Sequence, residues 1–133
     1  MFQNLDIFRQ SYAMATHAGQ RQAVTARNLA NADTPGFRAQ DLTPFKDTVD
    51  AGAARNTQRA TRARHLNGVG HDKAGFAGAA VIIDRAQPSD PNGNSVSVET
   101  EILRSVDAKR QHDRALAIYR SSLTILRTSL GRG

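Results

Sequence analysis

Hydrophobic and polar residues recur with a helical period at the two ends of this chain and with no lasting period between them. Between positions 4 and 32, Leu5, Phe8, Tyr12, Ala15, Gly19, Gln22, Ala26 and Leu29 follow a strict 3-4-3-4 spacing, in which only Gln22 breaks the seam. That spacing lays a heptad-like stripe along one face of an α-helix, with Gln10, Arg21 and Thr25 on the polar side. At 1.5 Å per residue the helix is about 40 Å long. It ends near Asp33, because Pro35 disfavours helical geometry at Thr34 and Gly36 permits a tight turn.

The C-terminal stretch repeats the pattern. Leu116, Tyr119, Leu123, Leu126 and Leu130 keep the 3-4-3-4 spacing, and the same register traced backwards gives His112, Lys109, Ser105, Ile102 and Val98. The seam is therefore apolar at both ends and polar across its middle. Ser97 is the expected N-cap, with Glu99 and Glu101 in the first turn, where carboxylates favour the helix dipole. Gly131-Arg132-Gly133 forms the stop. A helix of roughly 50 Å with such an interruption is a poor lone core element.

From Arg38 to Asn94 no period persists, and seven glycines fall between Gly36 and Gly93. Positions 45–49 and 79–84 have the composition of short strands, and Asp90-Pro91-Asn92-Gly93-Asn94 reads as a turn cluster. The chain thus divides into an N-terminal heptad helix over 1–33, an irregular segment over 34–95 and a C-terminal helix over 96–133. The expected fold is mostly α, with the long terminal helices packing as a coiled coil. The middle is expected to be irregular and partly disordered, with short β elements. The stripes admit an intramolecular hairpin, a membrane-surface helix or intermolecular packing. The last fits best, because both ends carry seams and the centre carries no core.

Composition narrows the chemistry. The 133 residues allow one small domain, with 39% hydrophobic and 5% aromatic side chains and neither Cys nor Trp. Disulfides and thiolate chemistry are excluded. Residues 1–10 lack the apolar core and cleavage site of a secretory signal, so the chain is expected to stay cytoplasmic or to leave without a cleaved signal. Its longest apolar runs, such as 77–83, are too short to span a membrane.

The net charge is +6, and Arg outnumbers Lys 15 to 3. Arg55, Arg59, Arg62, Arg64 and His65 form an acid-free cluster. It has no interleaved aromatic residue and no recognisable nucleic-acid motif, which favours a solvated charged loop. His17, His65, His71 and His112 form no metal-ligand spacing, and His65 and His71 beside Asp72 read as loop histidines. Glu99 and Glu101 point to different helix faces, and Gly68-x-Gly70 lacks the rest of a dinucleotide loop. Catalytic residues, metal sites and cofactors are all expected to be absent.

The most specific stretch is Asn28-Leu29-Ala30-Asn31-Ala32-Asp33-Thr34-Pro35-Gly36-Phe37-Arg38-Ala39. It resembles the N-L/I-A-N-x-x-T-P-G-Y/F-K/R-A motif of the bacterial flagellar axial proteins, which comprise rod, hook and hook-associated subunits. In this reading Asn31 and Asp33 cap freed backbone groups, Pro35-Gly36 turns the chain and Phe37 anchors the exit strand. Within that family, Ala39-Gln40-Asp41-Leu42, Gly93-Asn94-Ser95-Val96-Ser97-Val98-Glu99 and the ending Leu126-Arg127-Thr128-Ser129-Leu130 are similar to proximal rod subunits. Ser97 stands where that group usually has an acidic or other capping residue. The Arg-rich middle matches little.

The resemblance implies a structural rod subunit, exported by the flagellar type III apparatus without a cleaved signal. Its terminal helices would pack in a helical array crossing the periplasm. Other rod subunits and the basal-body ring and export apparatus would be its partners. It implies self-assembly, no nucleic acid and no membrane insertion. Leu5, Phe8, Tyr12, Leu29, Leu116, Tyr119, Leu123, Leu126 and Leu130 would form the assembly seams. Phe45-x-x-x-Val49 is similar to the export-gate signal of early flagellar subunits, with a buried loop anchor as the equal alternative. The competing readings are a basic nucleic-acid-binding helical protein, another type III-exported axial subunit, or a free helical hairpin.

Overall fold

The computed structural model describes residues 6–53, 82–86 and 88–131. In chain order these form α1 (Asp6–Ala30), β1 (Gln40–Leu42), α2 (Phe45–Ala53), β2 (Ile82–Asp84) and α3 (Val98–Leu130). The protein is mostly helical, with a long helix near each end of the described chain and two short strands.

The two long helices form an antiparallel hairpin. At one end Asn28, near the C-terminus of α1, hydrogen-bonds Glu101 in the first turn of α3. At the other end Phe8 meets Tyr119 edge-on, with ring centroids 5.2 Å apart. The coiled coil is therefore closed within one chain. Intermolecular packing, the preferred expectation for the stripes, is not needed to pair α1 with α3.

Small residues form most of two seven-residue rows that close this hairpin. Along α3 the buried positions are Glu101, Ala108, Ala115 and Ser122, each seven residues from the last. Along α1, Ser11, Ala18 and Thr25 repeat at the same interval, joined by Phe8, His17, Val24 and Asn28. A seven-residue repeat keeps one stripe facing a partner helix when both wind gently around each other. Small side chains let the two backbones approach closely. The polar members carry their own partners: Ser11 Oγ donates to the Phe8 carbonyl (3.0 Å) and Ser122 Oγ to that of Ile118 (2.8 Å).

Phe8 apart, this seam lies one residue before the stripe expected from the spacing in both helices. The stripe through Tyr12, Gly19 and Ala26 flanks the buried row Ser11, Ala18 and Thr25, and the stripe through Ile102, Lys109, Leu116 and Leu123 flanks the row from Glu101 to Ser122. A shift of one residue turns a helix by about 100°, so many large apolar side chains stay on the outside. Ile7, Tyr12, Leu29, Ile102, Leu103 and Ile125 are all exposed.

The strand expected at 45–49 is instead the start of α2. Pro44 precedes it, and its carbonyl accepts the Asp47 and Thr48 amides at 3.0 and 3.3 Å. Thr48 Oγ1 also donates back to the Phe45 carbonyl (2.6 Å). A proline at a helix start sacrifices no bond, since that N–H lacks a helical acceptor anyway. The strand that does pair is β1, antiparallel to β2 with Asp41 opposite Ile83. Positions 79–81 of the second expected strand lie outside the described residues. So do the Arg55–Arg64 cluster, His65, His71 and Leu5.

Candidate assembly site

The motif turn leaves α1 through a tight reversal. Phe37 N–H donates to the Thr34 carbonyl at 3.2 Å, with Pro35 and Gly36 between them and Gly36 at φ 74°. That is the pattern of a turn with proline second and glycine third, where only glycine takes positive φ without steric cost. A second turn packs on the first. Gly93 stands at φ 79°, and a Cβ built on it would lie 3.4 Å from Gly36 Cα. Gly36 N–H donates to the Asn92 carbonyl (3.0 Å), and Ser95 N–H to that of Phe37 (3.0 Å).

Asn94 joins the turns. Its side chain is 1% exposed, and its Nδ2 lies 3.0, 2.6 and 2.9 Å from the carbonyls of Asn31, Ala32 and Thr34. Two hydrogens are thus shared among three carbonyls freed by the end of α1. Its Oδ1 accepts the Val96 amide at 2.7 Å. Asn31 donates locally to the Arg27 carbonyl (2.8 Å), so the cap comes partly from the helix itself and partly from sixty residues away. Asp33 is exposed, and its side chain makes no hydrogen bond among the described residues.

Asn28 acts as a substitute peptide group. It donates to the Gln40 carbonyl (2.7 Å) and accepts the Gln40 amide (3.1 Å), while its remaining N–H reaches Glu101 Oε2 (3.0 Å). Glu101 in turn pairs with Arg85, both side chains being almost wholly buried. Beside them Asp41 receives Arg21 Nε (3.2 Å) and Arg104. One buried polar network therefore ties α1, β1, β2 and α3 at the motif end of the hairpin. Buried charges are tolerated because each has an opposite partner.

Burial pushes the Asp41 carboxyl up, but the Arg21 hydrogen bond, the Leu42 amide and the charges of Arg21 and Arg104 outweigh it. They hold its pKa below the usual 3.8. The sign follows: a carboxyl lowered in the folded state stabilises above its unfolded pKa and loses that stabilisation as pH falls through the folded value. Asp41→Asn is expected to cost about 1–2 kcal/mol at neutral pH. The gap between variant and parent should narrow as pH falls through the lowered pKa of the folded carboxyl. Thermal melts across pH check this, and a gap that stays constant would contradict it.

The motif residues Asn28, Leu29, Ala30, Asn31, Thr34, Pro35, Gly36 and Phe37 come together at this junction. Leu29 points away from it and is exposed, whereas Phe37 is half-buried. Of the expected seam residues, Phe8 is buried and Leu116, Leu123 and Leu126 are half-buried. Tyr119 and Leu130 are exposed, and Tyr12 is 73% exposed. Leu123, Leu126, Arg127, Leu130 and Gly131 line a shallow depression at the far end of α3. Phe45 and Val49 are half-buried in α2, and the Phe45 ring lies 5.5 Å from that of His17. His17 Nε2 is 2.8 Å from the Thr43 carbonyl.

Sequence reasoning missed Arg85, Asp41, Arg104 and the capping role of Asn94. It also read Glu101 as a dipole residue, whereas this side chain is buried. The signal available for Asn94 was its place in the Gly93–Glu99 stretch. Among the described residues no group of histidine, aspartate and glutamate side chains could hold a metal ion. No described helix is long and apolar enough to cross a membrane.

The motif turn thus stands at the end of one long helix and is locked by the segment leading into a second long helix, which returns along the first. The family described as Flagella basal body rod protein matches residues 13–38, which hold most of the motif. The flagellar basal body rod protein FlgB of Agrobacterium fabrum is 29% identical over 119 residues, spanning 90% of this chain and 88% of its own length. FlgB of Yersinia enterocolitica is 42% identical over 53 residues, which is 35% of this chain and 39% of that protein. The chain is thus similar to flagellar basal body rod proteins, and both of these relatives are FlgB.

Proposed function

We propose that the chain is a structural subunit of the flagellar basal-body rod that joins other rod components through the outer faces of its closed hairpin. One observation carries the reading: the buried row of α3 runs through the small residues Ala108, Ala115 and Ser122, while large apolar residues such as Ile102, Leu103 and Ile125 are exposed. Exposed apolar surface of this extent on a small protein marks a contact surface. The flagellar rod family match and the FlgB relatives support the same setting. Export through the type III apparatus, contact with the basal-body ring and a periplasm-spanning position are further parts of the proposal.

Complementation tests it. A strain lacking its own rod subunit of this kind should regain swimming with the wild-type chain. Leu123→Asp or Leu126→Asp should abolish rod assembly while leaving export largely intact. Normal swimming of those variants would overturn the assembly role of this face. Phe45 and Val49 are proposed as an export signal read before α2 packs on His17. Phe45→Ala should then lower secretion, whereas a mere anchor would lower stability and leave secretion unchanged.

A further inference from the structure

The second turn of the junction is built on Asn92-Gly93, and both residues are exposed to water. The pair suits a turn because both residue types tolerate the left-handed region, which Gly93 uses here at φ 79°. The same pair carries an intrinsic reactivity. Glycine has no Cβ to shield its own peptide nitrogen, so that nitrogen can approach and attack the side-chain amide of the preceding asparagine. In the folded chain the groups that must move for this attack are held. Gly93 N–H donates to the Asp90 carbonyl (2.8 Å), Asn92 Oδ1 accepts the Asn94 amide (2.9 Å), and the Asn92 carbonyl accepts the Gly36 amide (3.0 Å).

We propose that Asn92 is a self-modification site, guarded by the paired turns and released when they open. The reaction needs only water. The Gly93 nitrogen gives its proton to water and bonds to Asn92 Cγ; the Cγ–Nδ2 bond breaks, and the amide nitrogen takes up a proton and leaves as ammonia. The five-membered imide then adds water at one of its two carbonyls. Addition at Cγ gives ordinary aspartate, whereas addition at the main-chain carbonyl gives isoaspartate, in which the chain runs through Cγ. Aspartate keeps the backbone and an acceptor for the Asn94 amide, so the junction can close again. Isoaspartate lengthens the chain by one carbon and converts the former main-chain carbonyl into a free carboxylate. Gly36 then loses the peptide carbonyl that accepts its amide, and Gly93 loses its seat against Gly36, where an added Cβ would lie 3.4 Å from Gly36 Cα. The junction between the end of α1 and the entry to α3 is then lost irreversibly. Turn preference alone accounts for the presence of Asn92 and Gly93, but it leaves the reaction rate indifferent to the rest of the junction.

Incubation of the full chain at mildly alkaline pH decides between these. Peptide mass mapping scores amide loss at position 92, and chromatography separates the two products. Asn67-Gly68, the same dipeptide outside the described residues, serves as internal reference. In urea both sites should react at similar rates. In buffer, position 92 of the wild type should react at least about tenfold more slowly than in urea, since only the open fraction reacts. Asn94→Ala withdraws the donor that joins the turns and should bring back most of that rate with the helices intact by circular dichroism. Gly36→Ala, strained at φ 74°, opens the junction from the other turn and should act alike, which covers the case in which Asn94→Ala unfolds. Wild-type chain recovered with isoaspartate at position 92 should lose amide-exchange protection at Gly36 while the middle of α3 keeps its own. Equal wild-type rates in buffer and urea, or folded variants that react no faster than the wild type, would overturn the guard. An unreactive position 92 beside a reactive Asn67 in urea would overturn the site itself, and retained Gly36 protection in the isoaspartate chain would overturn the loss of the junction.

Discussion

Replacing Glu101 by alanine is expected to remove about 3–5 kcal/mol of stability, enough to unfold a marginal domain. Glu101 is 1% exposed and its carboxylate pairs with the Arg85 guanidinium, whose own side chain is almost fully buried. Truncation leaves that cation in the interior without its counter-charge and takes the acceptor from Asn28 Nδ2. Loss of one buried partner is far more costly than loss of both. Glu101→Met combined with Arg85→Met should therefore recover much of the deficit. Urea denaturation of the purified chain measures both. A Glu101→Ala cost below about 1 kcal/mol, the scale of an exposed ion pair, would show that the pair is hydrated rather than buried.

Asn94→Ala is expected to cost about 2–4 kcal/mol, since each buried group left unpaired costs about 1–3 kcal/mol. The change withdraws the donor shared by the carbonyls of Asn31, Ala32 and Thr34, and the acceptor for the Val96 amide. Asn94→Asp should be at least as damaging, because it keeps the acceptor while setting a carboxylate against three carbonyl oxygens. Amide exchange offers a local readout. Gly36 and Phe37, whose N–H groups are held by the paired turns, should lose protection before the middle of α3. Uniform loss across both helices would mean that the turn is not a separate locking element.

The long helices were legible because their ends are marked by local chemistry: Pro35-Gly36 after α1, and Ser97 before α3. Ser97 sits at the N-cap in an extended conformation, although its side chain makes no capping bond. The turn at Thr34–Phe37 was legible for the same reason, since proline and glycine restrict the backbone whatever surrounds them. The buried face was not. Periodicity gives a helix its stripe, but two adjacent stripes differed here by one residue, and in α3 the one richer in large apolar side chains drew the reading. Close approach of α1 and α3 favours the smaller side chains, Ala18, Ala108 and Ala115.

Long-range polar pairs were out of reach for a different reason. Asn28 and Glu101 are 73 residues apart, and nothing in the local pattern of either marks its burial. Positions 45–49 failed on a known ambiguity. A short run with an aromatic and two β-branched residues suits a strand or a helix, and the preceding Pro44 decided for the helix.

The most direct test of the account separates folding from assembly at one side chain. Ile125 is 65% exposed on the outer surface of α3, away from the buried row. Ile125→Asp in the purified chain should shift stability by no more than about 0.5 kcal/mol, as expected for an exposed site. The same variant, as the sole copy in an otherwise motile strain, should fail to build a rod and fail to swim. A folded chain without a rod is the predicted result. Normal swimming, or a variant that no longer folds, would contradict the assignment of the outer large-residue surface to assembly.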